Sequence, residues 1–374
     1  MLARLIQSDD NLMMTPVQTA PLLDPAAHCN ESRGDQPSRV FGPAFAALDL
    51  GTNNCRMLVG TPSGDGFRVI DSFSRIVRLG EGLHSTGRLS PDAMNRAICA
   101  LQACAARLAR RPVRQVRAIA TEACRRATNG VEFLSRVKHE TGFDFGIISS
   151  REEAELALES CAPLLPYDGR RALLFDIGGG STELAWIRMT NGKPDLIGYA
   201  SLPIGVVTLA ERWGDSGFCP DGFEAMVSDV VERLTPFERI HCIGHEIRDG
   251  GVRLLGTSGT VTTLAGVALN LERYRRPAVD GIELCADEAA DALAHLRSLG
   301  RDGLIQHPCV GADRVEFVLP GCAVFAAITR IWPAPHVIVA DRGLREGLLL
   351  RLIRADRLRQ GSRYDGRCRH GCRG

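Results

Sequence analysis

The sequence predicts an α/β protein made of two related halves that face a common cleft. Two observations carry this. A run of apolar residues ending in Asp, followed by a glycine turn and a second apolar run, occurs twice, at Asp49 and at Asp176. Segments with strand and helix spacing also alternate along the rest of the chain, the pattern of an α/β fold. Two copies about one small domain apart point to a duplication.

In chain order, residues 1–42 are polar and Pro-rich without a sustained period, and read as a disordered extension. The first hairpin follows, with Asp49, Gly51, Thr52 and Asn53 in its turn. Ser90-Pro-Asp opens a helix whose apolar positions Met94, Ile98, Leu101 and Leu108 keep helical spacing. Residues 113–120 read as a strand, Thr121 to Asn129 leads into a helix, 145–148 is a short strand, and Ser149-Ser-Arg-Glu-Glu opens a helix to about Leu165. The second hairpin spans residues 172–187, with Gly178, Gly179, Gly180 and Ser181 in the turn, and Asn191-Gly192 closes its second strand.

A strand is expected at 196–202, then helices at 205–213 and 223–234. Gly256-Thr-Ser-Gly-Thr260 is a third glycine and hydroxyl turn, opening a helix. Residues 284–299 and 321–332 read as helical, with Gly300 a helix stop. Residues 337–339 are a buried strand, and Asp341-Arg-Gly-Leu-Arg-Glu opens the last helix. The expected domains are 43–168 and 169–358, the last helix being free to pack back on the first, and 359–374 is a flexible Arg/Gly-rich tail.

At 374 residues, 45% hydrophobic and 24% charged, the chain has the composition of a globular protein with two sizeable cores. A formal net charge of +1 gives no global attraction for a polyanion, so no nucleic-acid partner is expected and any phosphate affinity rests on local arginines. No apolar run reaches the roughly 20 residues of a membrane span. Thirteen scattered cysteines, an odd number without paired spacing, read as reduced thiols. With no signal-peptide pattern after Met1, the expected location is cytoplasmic.

Glycines without Cβ let backbone amides approach a ligand and form a concave donor surface suited to phosphate. Asp176 and Glu183 flank such a turn and are placed to hold a divalent cation or a water. A dinucleotide fingerprint needs a helix directly after the glycines, whereas Glu183-Leu-Ala-Trp-Ile reads as a strand. No Gly-Lys-Ser/Thr follows any glycine turn, which excludes a P-loop.

Glu152 and Glu153 have two readings. One is a capping box, Ser150-x-x-Glu153; the other makes one of them a general base for attacking water. Arg125 and Arg126 are either a solvated basic turn or a phosphate clamp. Asp341 is a cleft residue or a helix N-cap. Cys368-Arg-His-Gly-Cys372 has the spacing of half a zinc site, without a second half nearby.

These motifs resemble the exopolyphosphatase/guanosine pentaphosphate phosphatase (Ppx/GppA) family of the actin, sugar-kinase and heat-shock ATPase superfamily. The resemblance runs from about Phe45 to about Leu352. It rests on Asp176-Ile-Gly-Gly-Gly-Ser-Thr-Glu183, Asp49-Leu-Gly-Thr-Asn53, Thr121 to Asn129, Glu152-Glu-Ala154, Gly256 to Thr260 and Gly343-Leu-Arg-Glu-Gly347, in the family's order. It implies two duplicated actin-like (ribonuclease H-like) domains with an interdomain active-site cleft, in the short two-domain form without an added helical domain.

The resemblance implies that Glu153 activates water, with Arg125 on the terminal phosphate and Glu183 also catalytic. Asp176, Glu183 and Asp49 would serve Mg²⁺. Phosphate would lie on Asp49, Gly51, Thr52 and Asn53, on Gly178, Gly179, Gly180 and Ser181, and on Gly256, Thr257, Ser258, Gly259 and Thr260. Three departures stand out: Thr52 and Asn54 replace common serines, Ser150 replaces a glycine, and Arg314-Val-Glu316 replaces an Arg-Ala-Asp pattern.

The expected activity is a Mg²⁺-dependent phosphoanhydride hydrolase, an exopolyphosphatase releasing orthophosphate from inorganic polyphosphate. The alternative substrate is guanosine pentaphosphate. The alternative from another class is an actin-like nucleotide-binding sensor with little turnover. The family also implies a homodimer, for which no coiled-coil period gives independent support.

Overall fold

The computed structural model describes residues 43–165 and 171–368. The first sheet contains β1 (Ala44–Leu50), β2 (Asn54–Ser63), β3 (Gly66–Ile76), β4 (Val113–Ala120) and β5 (Phe145–Ile147), in the order β3-β2-β1-β4-β5. The second contains β6 (Arg171–Ile177), β7 (Thr182–Thr190), β8 (Lys193–Leu202), β9 (Val252–Thr257), β10 (Glu283–Cys285) and β11 (His336–Ala340), in the order β10-β11-β9-β6-β7-β8.

Set side by side, β3-β2-β1-β4-β5 and β8-β7-β6-β9-β11 are one topology. Each begins as an antiparallel meander and continues through two parallel neighbours. Among the described strands only β10, antiparallel to β11, lacks a counterpart. The fold is thus a duplicated α/β fold of the actin-like (ribonuclease H-like) kind. Sequence reasoning absorbed β10 into the following helix, because a three-residue strand is too short to show a period.

Local chemistry explains the main elements. β1 is buried along its whole length, as expected of a strand covered on both faces, whereas the edge strand β3 is half-exposed. The helix Pro91–Leu108 starts at Ser90, whose side chain accepts from the Ala93 amide at 3.2 Å, with Pro91 at the first helical position. Its Ile98, Leu101 and Cys104 join Leu48, Leu50 and Met57 in one core. In the second half Phe175, Trp186, Phe325 and Trp332 anchor a larger core. Cys104 and Cys322 are among the buried free thiols. Among the described residues no helix is long and apolar enough to cross a membrane.

Two helices exchange sides between the halves. The helix Ser150–Cys161 packs Ala154, Ala157 and Leu158 on Leu174, Ala185 and Ile187 of the second sheet. The helix Leu344–Cys368 returns to the first sheet, where Leu348, Leu349 and Ile353 meet Phe45, Ala47 and Ile119. They cross at Gly347, where an added Cβ would lie 2.0 Å from the Leu156 carbonyl oxygen. Arg351 Nε pairs with Glu159 at 2.6 Å farther along the crossing.

Several expectations change. The helix read as ending at Leu234 runs Pro220–His241 through Pro236. Gly300, read as a stop, has positive φ but directly opens a further helix, Gly300–Gln306. The tail expected to be loose from 359 is helical to Cys368. The N-terminal extension 1–42, the boundary at 168/169 and most of the Cys368 to Cys372 segment lie outside the described residues.

The Gly347→Ala variant is expected to lose about 1–3 kcal/mol of stability, the usual cost of overpacking, because the clash is with backbone. At Gly146 an added Cβ meets open space, so Gly146→Ala should leave stability within experimental error. Urea unfolding of both variants checks this.

Candidate active site

Both hairpin turns stand at the carboxyl ends of central strands, β1 and β6, the position where open α/β sheets take ligands. Each turn is closed by a backbone bond: Gly51 N–H donates to Asn54 O at 2.9 Å and Gly178 N–H to Ser181 O at 2.9 Å. The turns also touch one another. A Cβ at Gly179 would lie 3.1 Å from Asn53 Cβ, and one at Gly180 would lie 2.8 Å from Thr52 Oγ1. An alanine at either position would push the opposite hairpin aside by a few tenths of an ångström, so these glycines serve the close approach in addition to any ligand.

The Gly178 and Gly179 carbonyls accept from the Val206 and Val207 amides at 3.0 and 2.8 Å, at the start of the helix Val206–Trp213. In a trans peptide the next amide points the opposite way, so the Gly179 and Gly180 N–H groups face away from that helix. Gly205 makes the arrangement possible, since its Cβ would fall 2.5 Å from Gly178 O. In the third turn, Ser258 Oγ accepts from the Thr260 and Val261 amides at 3.1 and 3.4 Å, and Ser258 holds φ at 138°, a strained value for a residue with a side chain.

These turns surround a cavity of about 1170 Å³. Asp49, Gly51, Thr52 and Asn53 line it from the first half. Gly178, Gly179, Gly180 and Ser181 line it from the second, together with Thr257, Ser258, Gly259 and Thr260. Glu153, Asp176 and Glu183 also reach it. Two residues of the expected set do not line it. Gly256 lies within β9, where a Cβ would strike the Phe175 ring at 2.6 Å, so its glycine serves packing. Arg125 stands behind the wall, donating to Glu122 Oε2 at 2.6 Å, to Ile148 O at 2.8 Å and to Glu153 Oε2 at 3.3 Å.

Among the acids on the cavity wall, Asp49, Glu153, Asp176 and Glu183 act on one another. Burial, with Asp49 nearby, pushes Asp176 up to about 6 against the pull of Arg56, although part of Asp176 stays open to the cavity. Burial and Asp176 push Glu183 up to about 7, opposed by hydroxyl donors Ser181 at 2.5 Å and Ser201 at 3.1 Å. Glu153 is raised well above the usual carboxyl range by burial and by Glu183, with Arg125 opposing. Burial also raises Asp49, against Arg56 and Arg345. A carboxyl held near neutrality beside a donor-lined cavity is equipped for general-base work.

The capping-box reading is off by one residue. Ser149 is the cap, accepting from Glu152 N at 3.1 Å, which leaves Glu153 one position past the capping-box acid and free to face the cavity. Asp341 is a cavity residue that accepts from Tyr274 Oη at 2.5 Å, and the helix it precedes begins only at Leu344.

Sequence reasoning passed over Arg56, Arg345, Tyr274 and Glu122, all on the cavity wall. Arg56 was within reach, because a three-residue turn sets Asp49 opposite Arg56 in the ladder. Arg345 and Glu122 lay inside recognised motifs, but no local signal aims their side chains.

Among the described residues no three His, Cys, Asp or Glu side chains converge as a metal chelate, so Asp49, Asp176 and Glu183 share the cavity without closing on one point. That donor set suits a hard cation keeping its own water and using substrate oxygens, as Mg²⁺ does. Asn53 Oδ1, buried and without a partner among the described residues, is a further acceptor for such water.

A model of the Ppx/GppA phosphatase family matches residues 59–355. A putative exopolyphosphatase of Haemophilus influenzae is 29% identical over 318 residues, covering 82% of this chain and 91% of that protein. The crystal structure of an exopolyphosphatase-like protein is 26% identical with a TM-score of 0.75, over 83% of this chain and 97% of that one. The Aquifex aeolicus Ppx/GppA family member is 27% identical with a TM-score of 0.67, over 84% and 98%. With its duplicated sheets, paired glycine hairpins and a family match over most of its length, the chain belongs to the Ppx/GppA phosphatase family.

Proposed function

We propose that this protein is an exopolyphosphatase, hydrolysing the terminal phosphoanhydride of inorganic polyphosphate and releasing orthophosphate. One observation carries the reading: Glu153 is a buried carboxylate of raised proton affinity facing the same cavity as the glycine turns. Similarity to a protein named as a putative exopolyphosphatase and to one named as exopolyphosphatase-like supports polyphosphate as the substrate class.

In this reading the 178–181 turn and Thr257 to Thr260 receive the terminal phosphate through amides and hydroxyls. Glu153 takes a proton from the attacking water, while Arg125 and the Ile148 carbonyl, to which Arg125 also donates, fix its orientation. Asp176, Glu183 and Asp49 would hold Mg²⁺, directly or through water. When bound, the ion neutralises phosphate charge and supplies a hard electrophile.

A second reading keeps the mechanism and takes guanosine pentaphosphate. It is favoured by the size of the cavity and by Tyr274 and Phe317 on its wall, which exceed what a terminal phosphate needs. Orthophosphate release measured side by side from polyphosphate and from the nucleotide decides between them. The proposal expects the higher kcat/KM on polyphosphate, and a higher value on the nucleotide would select the second reading.

Glu153→Gln keeps shape and removes the base, so kcat should fall about 10²-fold or more with KM nearly unchanged. Near-native turnover would refute the role of Glu153.

The acid cluster also fixes the sign of a pH effect. Asp176 and Glu183 are raised to about 6 and about 7, so their contribution to stability is complete below the ordinary carboxyl range and lost as pH rises through those values. Mg²⁺ should therefore raise Tm more at pH 8 than at pH 5, and Asp176→Asn should shrink that difference. Equal Mg²⁺ shifts at both pH values would refute the metal assignment.

A further inference from the structure

Arg125 holds two carboxylates at once. Its Nη1 and Nη2 straddle Glu153 Oε2 at 3.3 and 3.4 Å, and Nη1 is anchored on the Ile148 carbonyl at 2.8 Å. The shortest contact of the guanidinium goes elsewhere, from Nη2 to Glu122 Oε2 at 2.6 Å. Glu122 is only 8% exposed, yet it lines the cavity while Arg125 does not. Its Cγ lies 3.4 Å from where a Cβ on Gly180 would stand, so it occupies the space beside the second glycine turn.

A phosphate received at that turn would lie beside this carboxylate. Two anions side by side in a recessed site repel strongly, and a guanidinium fork matches phosphate at least as well as carboxylate. Glu122 also has a second berth: Arg126 Nε lies 3.7 Å from its other oxygen, on a side chain that is 36% exposed. Glu122 can therefore leave Arg125 without becoming a buried, unpaired charge.

From this geometry we infer that Glu122 is a positioning residue acting through Arg125, an exchange partner that the terminal phosphate displaces onto Arg126 and that reclaims Arg125 when orthophosphate leaves. The inference rests on the phosphohydrolase reading above. It assigns Glu122 control of product affinity: its competition for Arg125 weakens phosphate binding and clears the site after each cleavage.

The test is titration of inorganic phosphate into the full-length protein with Mg²⁺ by calorimetry, alongside KM and kcat for polyphosphate. Glu122→Gln removes the competing charge, so orthophosphate should bind about tenfold tighter and KM should fall with it, a size typical of one charge-assisted hydrogen bond. Arg126→Gln removes the second berth and should weaken orthophosphate binding by several-fold, the opposite direction. Glu152→Gln, on the same helix as Glu153 but paired outward to Arg351, should change neither constant.

Opposite shifts in the two variants, with unchanged melting temperatures, are not produced by a merely structural role. Unchanged or weaker orthophosphate binding in Glu122→Gln overturns the exchange. Should that variant fail to fold, unchanged or tighter binding in Arg126→Gln overturns it instead. Wild-type protein that binds orthophosphate but releases none from polyphosphate overturns the exopolyphosphatase reading alone. Orthophosphate bound by neither the wild type nor Glu122→Gln overturns the exchange, whatever the wild type releases from polyphosphate.

Discussion

The close approach of the two glycine turns is the constraint on which the rest of the molecule depends. Gly179 and Gly180 meet Thr52 and Asn53 so closely that a Cβ would stand 3.1 Å from Asn53 Cβ and 2.8 Å from Thr52 Oγ1. That contact brings the ends of β1 and β6, and with them Asp49 and Asp176, into one cavity. The sheets behind are copies of one topology, so the same device, a strand ending in Asp and a tight turn, is delivered from both sides. The two exchanged helices lock the arrangement: one carries Glu153 onto the second sheet, and the other brings Arg345 to the cavity while packing on the first.

The approach has an electrostatic cost. Asp49, Glu153, Asp176 and Glu183 crowd a recessed space, and burial pushes Asp176 up to about 6 and Glu183 up to about 7. Arg56 and Arg345 offset part of the repulsion at Asp49, and Arg125 does so at Glu153. A polyanionic substrate adds further negative charge to a site already rich in acids, so a cation suits both the site and its substrate. Stability and chemistry are coupled here, because the groups that disfavour the compact state at high pH are those the proposed reaction uses.

Much of the fold was legible in the sequence. The strand expected at 113–120 is β4 to the residue, and Ser90-Pro91 caps and starts its helix as the local chemistry dictates. Both hairpins follow from Asp, glycine and apolar pattern alone. The reading failed where tertiary packing outweighs local rules. The helix through Pro236 continues because Phe237 is buried against the second core, and β10 exists only because β11 offers an edge.

At the site, glycine positions were legible but their reasons were not. Gly256 reads like a phosphate loop and serves the Phe175 ring, while Gly179 answers to the opposite hairpin. Glu153 emerged from family resemblance, since spacing alone fitted a helix cap. The place of Arg125 behind the wall depends on Glu122 and on the Ile148 carbonyl, whose meeting no one-dimensional pattern encodes. Attack of water on the terminal phosphorus of a polyphosphate chain is tested most directly by hydrolysis in ¹⁸O-labelled water. The expected result is one ¹⁸O in each released orthophosphate and none in the shortened chain; label at the new chain end, or no orthophosphate released, would contradict it.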